Sequence, residues 1–106
     1  MLLQDFLLPN ENVRFESTGD VKYGGKGYRV IISDKRCILY ARRGLLVKND
    51  DVVSEKLDDC QGIKYNEKGI IGKKGIIEIH SKTKFQLEGS AIEMKALYQN
   101  LLQFFD

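Results

Sequence analysis

Hydrophobic and polar residues alternate in short runs along most of this chain, and glycine or small polar residues separate the runs. Val13-Arg14-Phe15-Glu16-Ser17 has the period of two that a half-buried strand requires, and Val21-Lys22-Tyr23 resumes it after Gly19-Asp20. Tyr28-Arg29-Val30-Ile31-Ile32 and Cys37-Ile38-Leu39-Tyr40-Ala41 are the strongest strands, rich in β-branched and aromatic residues, and Ser33-Asp34-Lys35-Arg36 between them suits a hairpin turn. This hairpin is predicted to be the centre of the core. Leu45-Leu46-Val47, Val52-Val53-Ser54, Ile63-Lys64-Tyr65, Ile76-Ile77-Glu78-Ile79 and Lys84-Phe85-Gln86-Leu87 follow as shorter strands bounded by Gly, Asn or Asp.

The pattern changes at both ends. Residues 1–8 place apolar side chains at 2, 3, 6 and 7, which predicts a short docking helix that Pro9 ends. Ser90 with Glu93 forms a capping box, and Met94, Leu97, Tyr98, Leu101, Leu102 and Phe105 follow at helical spacing, so a helix is predicted over 90–105. Short strands without crossover helices cannot build a parallel sheet, and a lone terminal helix must plug what the strands make. The expected fold is mainly β: a small bent antiparallel barrel or orthogonal β-sandwich of about seven strands, capped by one C-terminal helix, in a single domain over 1–106.

Composition narrows the class more than the function. With 106 residues, 42% apolar and 30% charged, the chain can bury a core without metal or disulfide. It contains no apolar run near the roughly 18 residues of a membrane span, and its first residues lack the basic and small-residue marks of a secretory signal, so a cytoplasmic location is expected. Cys37 and Cys60 are then expected to be reduced and buried. The net charge of +2 hides an asymmetry: residues 14–48 are basic, whereas Asp50, Asp51, Glu55, Asp58 and Asp59 follow with Lys56 alone opposing them.

Four segments resemble a pleckstrin homology-like domain of the prokaryotic type, a relative of the GRAM domains. They are Leu7-Leu8 through Glu11-Asn12-Val13; Tyr28 to Tyr40 with its Ser-x-Lys-Arg turn; Leu57-Asp58-Asp59-Cys60-Gln61-Gly62-Ile63, where Cys60 stands in place of the commoner isoleucine; and Gly75-Ile76-Ile77-Glu78-Ile79 with the helix after it. The resemblance implies a non-enzymatic interaction module without cofactor. Its partner would be a protein, a peptide or a second copy, taken in a groove between the helix and the edge of a neighbouring strand. An alternative comes from Lys22-Tyr-Gly-Gly-Lys26-Gly-Tyr-Arg29, similar to the loop with which eukaryotic members grip inositol phosphates. It makes Lys22, Lys26 and Arg29, with Arg36, a candidate site for an anionic lipid headgroup at a membrane surface. Lys26 and Arg29 lie at a spacing that would face opposite sides of a regular strand.

Catalytic chemistry finds little support. His80, the single histidine, lies in Ile77-Glu78-Ile79-His80-Ser81 on the face opposite the isoleucines, as an exposed strand residue would. No cluster has metal-ligand spacing, and Gly24-Gly25-Lys26-Gly27 leads into a strand rather than the helix that a phosphate-binding glycine loop requires. A third reading comes from Ile70-Ile71-Gly72-Lys73-Lys74-Gly75, which resembles the signature loop of KH domains and implies RNA contact through 72–75. That loop would have to lead into a helix, whereas Ile76 to His80 alternates as a strand; nucleic acid therefore ranks last.

Overall fold

The computed structural model describes residues 2–44 and 46–105. Its strands are β1 (Val13–Tyr23), β2 (Lys26–Ser33), β3 (Arg36–Arg43), β4 (Asn49–Lys56), β5 (Gly62–Lys68), β6 (Lys74–His80) and β7 (Lys84–Ser90), followed by α1 (Ala91–Leu101). All seven form one antiparallel sheet in the order β4-β3-β2-β1-β7-β6-β5. Val30, Ile32, Cys37 and Leu39 from β2–β3 share one core with Ile77, Ile79, Phe85 and Leu87 from β6–β7, so the sheet folds over on itself. Met94, Leu97, Leu101 and Phe105 complete that core from the C-terminal side. The result is the expected strongly bent antiparallel sheet with a C-terminal helix, and it is not closed: among the described residues β4 and β5 are its edges, and β1 meets β7 at Lys22↔Glu88.

The helix sits where the sheet has no side chains. Gly75 and Gly89 are opposite one another across β6–β7, and Met94 lies over them so closely that a Cβ on Gly75 would come within 2.6 Å of the Met94 Cβ. Ser90 ends β7 and caps α1 together, its Oγ accepting the Glu93 N–H at 3.4 Å. The regular helix stops at Leu101, short of the expected Phe105. Turn residues then carry Phe104 against Phe15, with ring centroids 6.3 Å apart, and bury Phe105.

A smaller core lies on the outer face of β2–β3, where Leu3 covers Ile31 and Ile38. The expected N-terminal helix is a 3-10 helix, Leu2–Phe6. It is held by a buried cluster: Arg36 donates from Nη2 to Glu11 Oε1 at 2.8 Å and to the Phe6 carbonyl at 2.7 Å, and from Nε to Glu11 Oε2 at 3.0 Å. Ser33 Oγ also donates to Glu11, and the Leu8 N–H reaches Glu11 Oε1 at 2.7 Å. These bonds hold the Glu11 carboxyl far below the usual carboxylate range, at about 2, the Arg36 hydrogen bond contributing most.

Two sequence expectations fail locally. Leu46 and Val47 are not strand residues; they are 98% and 73% exposed in the β3–β4 connection, while Leu45 lies outside the described residues. The strand instead begins at Asn49 and includes Asp50 and Asp51, which propensity would leave in a loop. They are held there by partners across the ladder: Arg42 is opposite Asp50 at 3.4 Å, and Arg43 Nη2 lies 3.8 Å from Asp51. The second failure is Gly19-Asp20, which interrupts nothing, because β1 runs through it as a bulge.

Candidate functional site

The bulge shapes the groove that is the strongest candidate site. Between Glu16↔Ile31 and Asp20↔Arg29, residues 17–19 of β1 oppose only Val30, so the strand bends. Ser17 makes this possible from a buried position. Its hydroxyl accepts the Val30 N–H at 3.0 Å and donates to the Gly19 carbonyl at 2.7 Å, while Arg29 donates to the Ser17 carbonyl at 3.2 Å. The β1 residues before Lys22 have no ladder partner on the β7 side. Between that flank and α1 is a groove of about 280 Å³, lined by Phe15, Val21 and Gly19 on one wall and Ile92, Ala96 and Leu97 on the other.

The groove is mainly apolar, and Ile92, 85% exposed, projects at its rim. On its opposite side α1 is already occupied: Tyr98 packs on Tyr65 with ring centroids 5.5 Å apart, and Lys95 pairs with Glu67 at 3.1 Å. The open strand beside the helix is therefore β1 rather than the sheet-edge strand β5. Sequence reading marked Gly19-Asp20 as a break between strands and so missed the bulge. The available signal was a serine and a glycine inside an otherwise alternating run.

The four candidate anion-binding residues are not gathered together. Lys22 and Lys26 are exposed on either side of the β1–β2 turn and make no ion pair among the described residues. Arg29 lies on the outer face beside Glu16 at 3.3 Å and Asp20 at 3.6 Å. Arg36 follows the far end of β2, about 25 Å along the strand from Lys26, and is committed to Glu11. A second, polar cavity of about 520 Å³ on the outer face takes in Glu16, Asp20, Arg29, Arg42 and Arg43. Its arginines face carboxylates of this same chain. Part of the charge asymmetry of the sequence is thus internal complementarity: the basic β3 end and the acidic β4 start are ladder neighbours.

The remaining candidates fall into place by position. Residues 72–75 turn from β5 into β6, strand to strand, which removes the KH reading because that motif must open a helix. His80 is exposed at the end of β6, its Nε2 3.1 Å from Glu78 Oε1. Cys37 and Cys60 are free and buried, and burial pushes their thiols up to about 12 and about 11, so neither supplies a thiolate nucleophile at neutral pH. Among the described residues no three His, Cys, Asp or Glu side chains gather as metal ligands, and no helix is long and apolar enough to cross a membrane.

No protein-family model matches the chain, and no curated protein matches it. Its fold does match a solved structure, the crystal structure of a pleckstrin homology domain from Shewanella amazonensis SB2B. The TM-score is 0.65 over 96% of this chain and 90% of that one, at 14% sequence identity. Seven antiparallel strands folded over one core and closed by a C-terminal helix, together with this likeness, establish the architecture as that of a pleckstrin homology-like domain.

Proposed function

We propose that this chain is a non-enzymatic interaction module of the cytoplasm that takes an extended segment of a protein partner, or of a second copy of itself, in the groove between β1 and α1. One observation carries the reading: a strand flank without a ladder partner borders an apolar groove whose other wall is a helix. An extended peptide laid there gains main-chain hydrogen bonds along β1, and the groove receives its alternate side chains. The pleckstrin homology-like architecture and the free, buried cysteines agree with such a role in a reducing compartment. The rival headgroup site at 22–29 keeps only Lys22 and Lys26 as unpaired cations.

The test is selection of binders from a library of extended peptides, with sedimentation velocity to detect self-association. Ala96→Arg fills the groove from an exposed helix position and leaves the core untouched. Binding or self-association that shifts the amide resonances of residues 17–20 and 92–100, and that Ala96→Arg abolishes, supports the reading. Ligands that leave those amides unmoved refute it.

A further inference from the structure

The groove between β1 and α1 is apolar along most of its length and acidic at one end. Phe15 packs on Phe104 beyond the last turn of α1, whereas Lys22 pairs with Glu88 just before α1 begins, so β1 and α1 run in opposite directions along the groove. Phe15 and Asn100 therefore mark one end, and Asp20 and Glu93 the other. Although the chain is basic overall, these two carboxylates are the charged groups of the lining, which has no lysine, arginine or histidine among the described residues.

Neither carboxylate is fully neutralised. Glu93 is exposed in the first turn of α1 and makes no ion pair among the described residues. Asp20 stands 3.6 Å from Arg29, but Glu16 shares the same guanidinium at 3.3 Å, so one negative charge is left over there. The Asp20 side chain is 65% exposed and can turn to a second cation. Lys22, further along β1, lies across the ladder from Glu88. The positive pole of the α1 N-terminus offsets about half an elementary charge, less than the two carboxylates carry. One turn along α1, about 5.4 Å away, Ala96 and Leu97 make the helix wall apolar.

Resting on the peptide reading of this groove, we infer that its occupant is a basic and apolar segment of a partner protein: a lysine or arginine side chain lies between Asp20 and Glu93, and an aliphatic or aromatic side chain two positions away lies against Ala96, Leu97 and Phe15. The spacing follows from strand geometry. Side chains two positions apart share a face of an extended peptide and stand about 6.6 Å apart, close to the one helical turn that separates Glu93 from Leu97. Charge supplies the selectivity, because an acidic segment would bring its carboxylates against Asp20 and Glu93 with no cation in the lining to receive them.

The probe is a library of threonine- and valine-rich peptides with one leucine, in which the flanking positions are drawn from lysine, arginine, glutamine and glutamate. Peptides that bind at low salt and shift the amide resonances of residues 17–20 and 92–100 should carry lysine or arginine two positions from the leucine. Replacing that residue by glutamine should weaken binding by about fivefold, and added salt should narrow the difference. Glu93→Lys changes an exposed side chain and keeps the backbone N–H that Ser90 accepts, and a melting curve confirms the fold. It should remove the preference for a basic residue while the glutamine peptides bind as before. Groove binders without that preference, or a preference that survives Glu93→Lys, overturn this inference and leave the peptide reading standing. Amide shifts that follow protein concentration without peptide would show a second copy in the groove, and overturn it too. A library that yields no binder at those amides overturns both.

Discussion

The two halves of this sheet share one apolar core and differ in what is added to it. The outer face of β1–β4 is fastened by charge: Glu11, Arg36 and Ser33 tie the N-terminal segment to the β2–β3 turn, and Arg29, Arg42 and Arg43 are matched to carboxylates of neighbouring strands. The β5–β7 half carries ion pairs as well, such as Lys74–Glu88 and Lys95–Glu67, and what sets it apart is α1 seated on two glycines. The difference shows that charge density in a sequence is a poor guide to charge available for binding. Arg29, Arg36, Arg42 and Arg43 are matched to carboxylates of this chain, while Arg14, Lys22 and Lys26 of the same half and Lys68 of the other are exposed without an ion pair among the described residues.

The contrast can be broken from either side. Leu101→Ala removes a fully buried side chain of α1 and is expected to destabilise by about 2–5 kcal/mol in denaturant unfolding. A loss below about 1 kcal/mol would mean that the helix does not close the core. On the charged half, Glu11→Gln is expected to remove about 3 kcal/mol at neutral pH, the equivalent of a carboxyl lowered from 4.5 to about 2. Because the folded-state pKa is depressed, this contribution is fully present above pH 4.5 and is lost as the pH falls toward 2. Acid titration of stability should therefore be steeper for the natural protein than for Glu11→Gln, and equal slopes would show that this cluster is not what holds the N-terminal segment.

Smaller effects sharpen the comparison. Gly75→Ala should destabilise by about 1–3 kcal/mol, since the new Cβ would meet Met94 Cβ at 2.6 Å and α1 would have to move. An unchanged melting temperature would show that the helix rides freely on the sheet. Arg29→Ala should cost less than about 1 kcal/mol, because its two ion pairs are exposed and solvent screens them. A larger loss would indicate that the contact of Arg29 with the Ser17 carbonyl holds the bulge, and a shift in the residue 17–20 amide resonances would then accompany it.

How much was legible depended on range. The β2–β3 hairpin was readable because Val30-Ile31-Ile32 and Cys37-Ile38-Leu39 are short apolar runs rich in β-branched residues on either side of a polar turn, and all six are buried. Ser90 announced the start of α1 in the same local way. Leu46-Val47 misled for the same reason: a short apolar run looks alike in a strand and at an exposed loop. Among the candidate site residues, Arg29 and Arg36 looked available because their partners, Asp20 and Glu11, are separated from them in sequence.

Local order, then, belongs to the chain itself: periodicity, turn residues and the cap determined which segments became strands and which became the helix, since those preferences act over a few neighbouring residues. Tertiary structure decided the rest. Only the register of β3 on β4 brings Arg42 and Arg43 beside Asp50 and Asp51, and so pairs part of an uneven charge pattern. Only the seating of α1 gives Gly75 and Gly89 their purpose, and only the mismatch between β1 and its two neighbours opens a groove. These features depend on the register in which strands pair and on where α1 is seated, and a pattern of local preferences carries no information about which partners will meet.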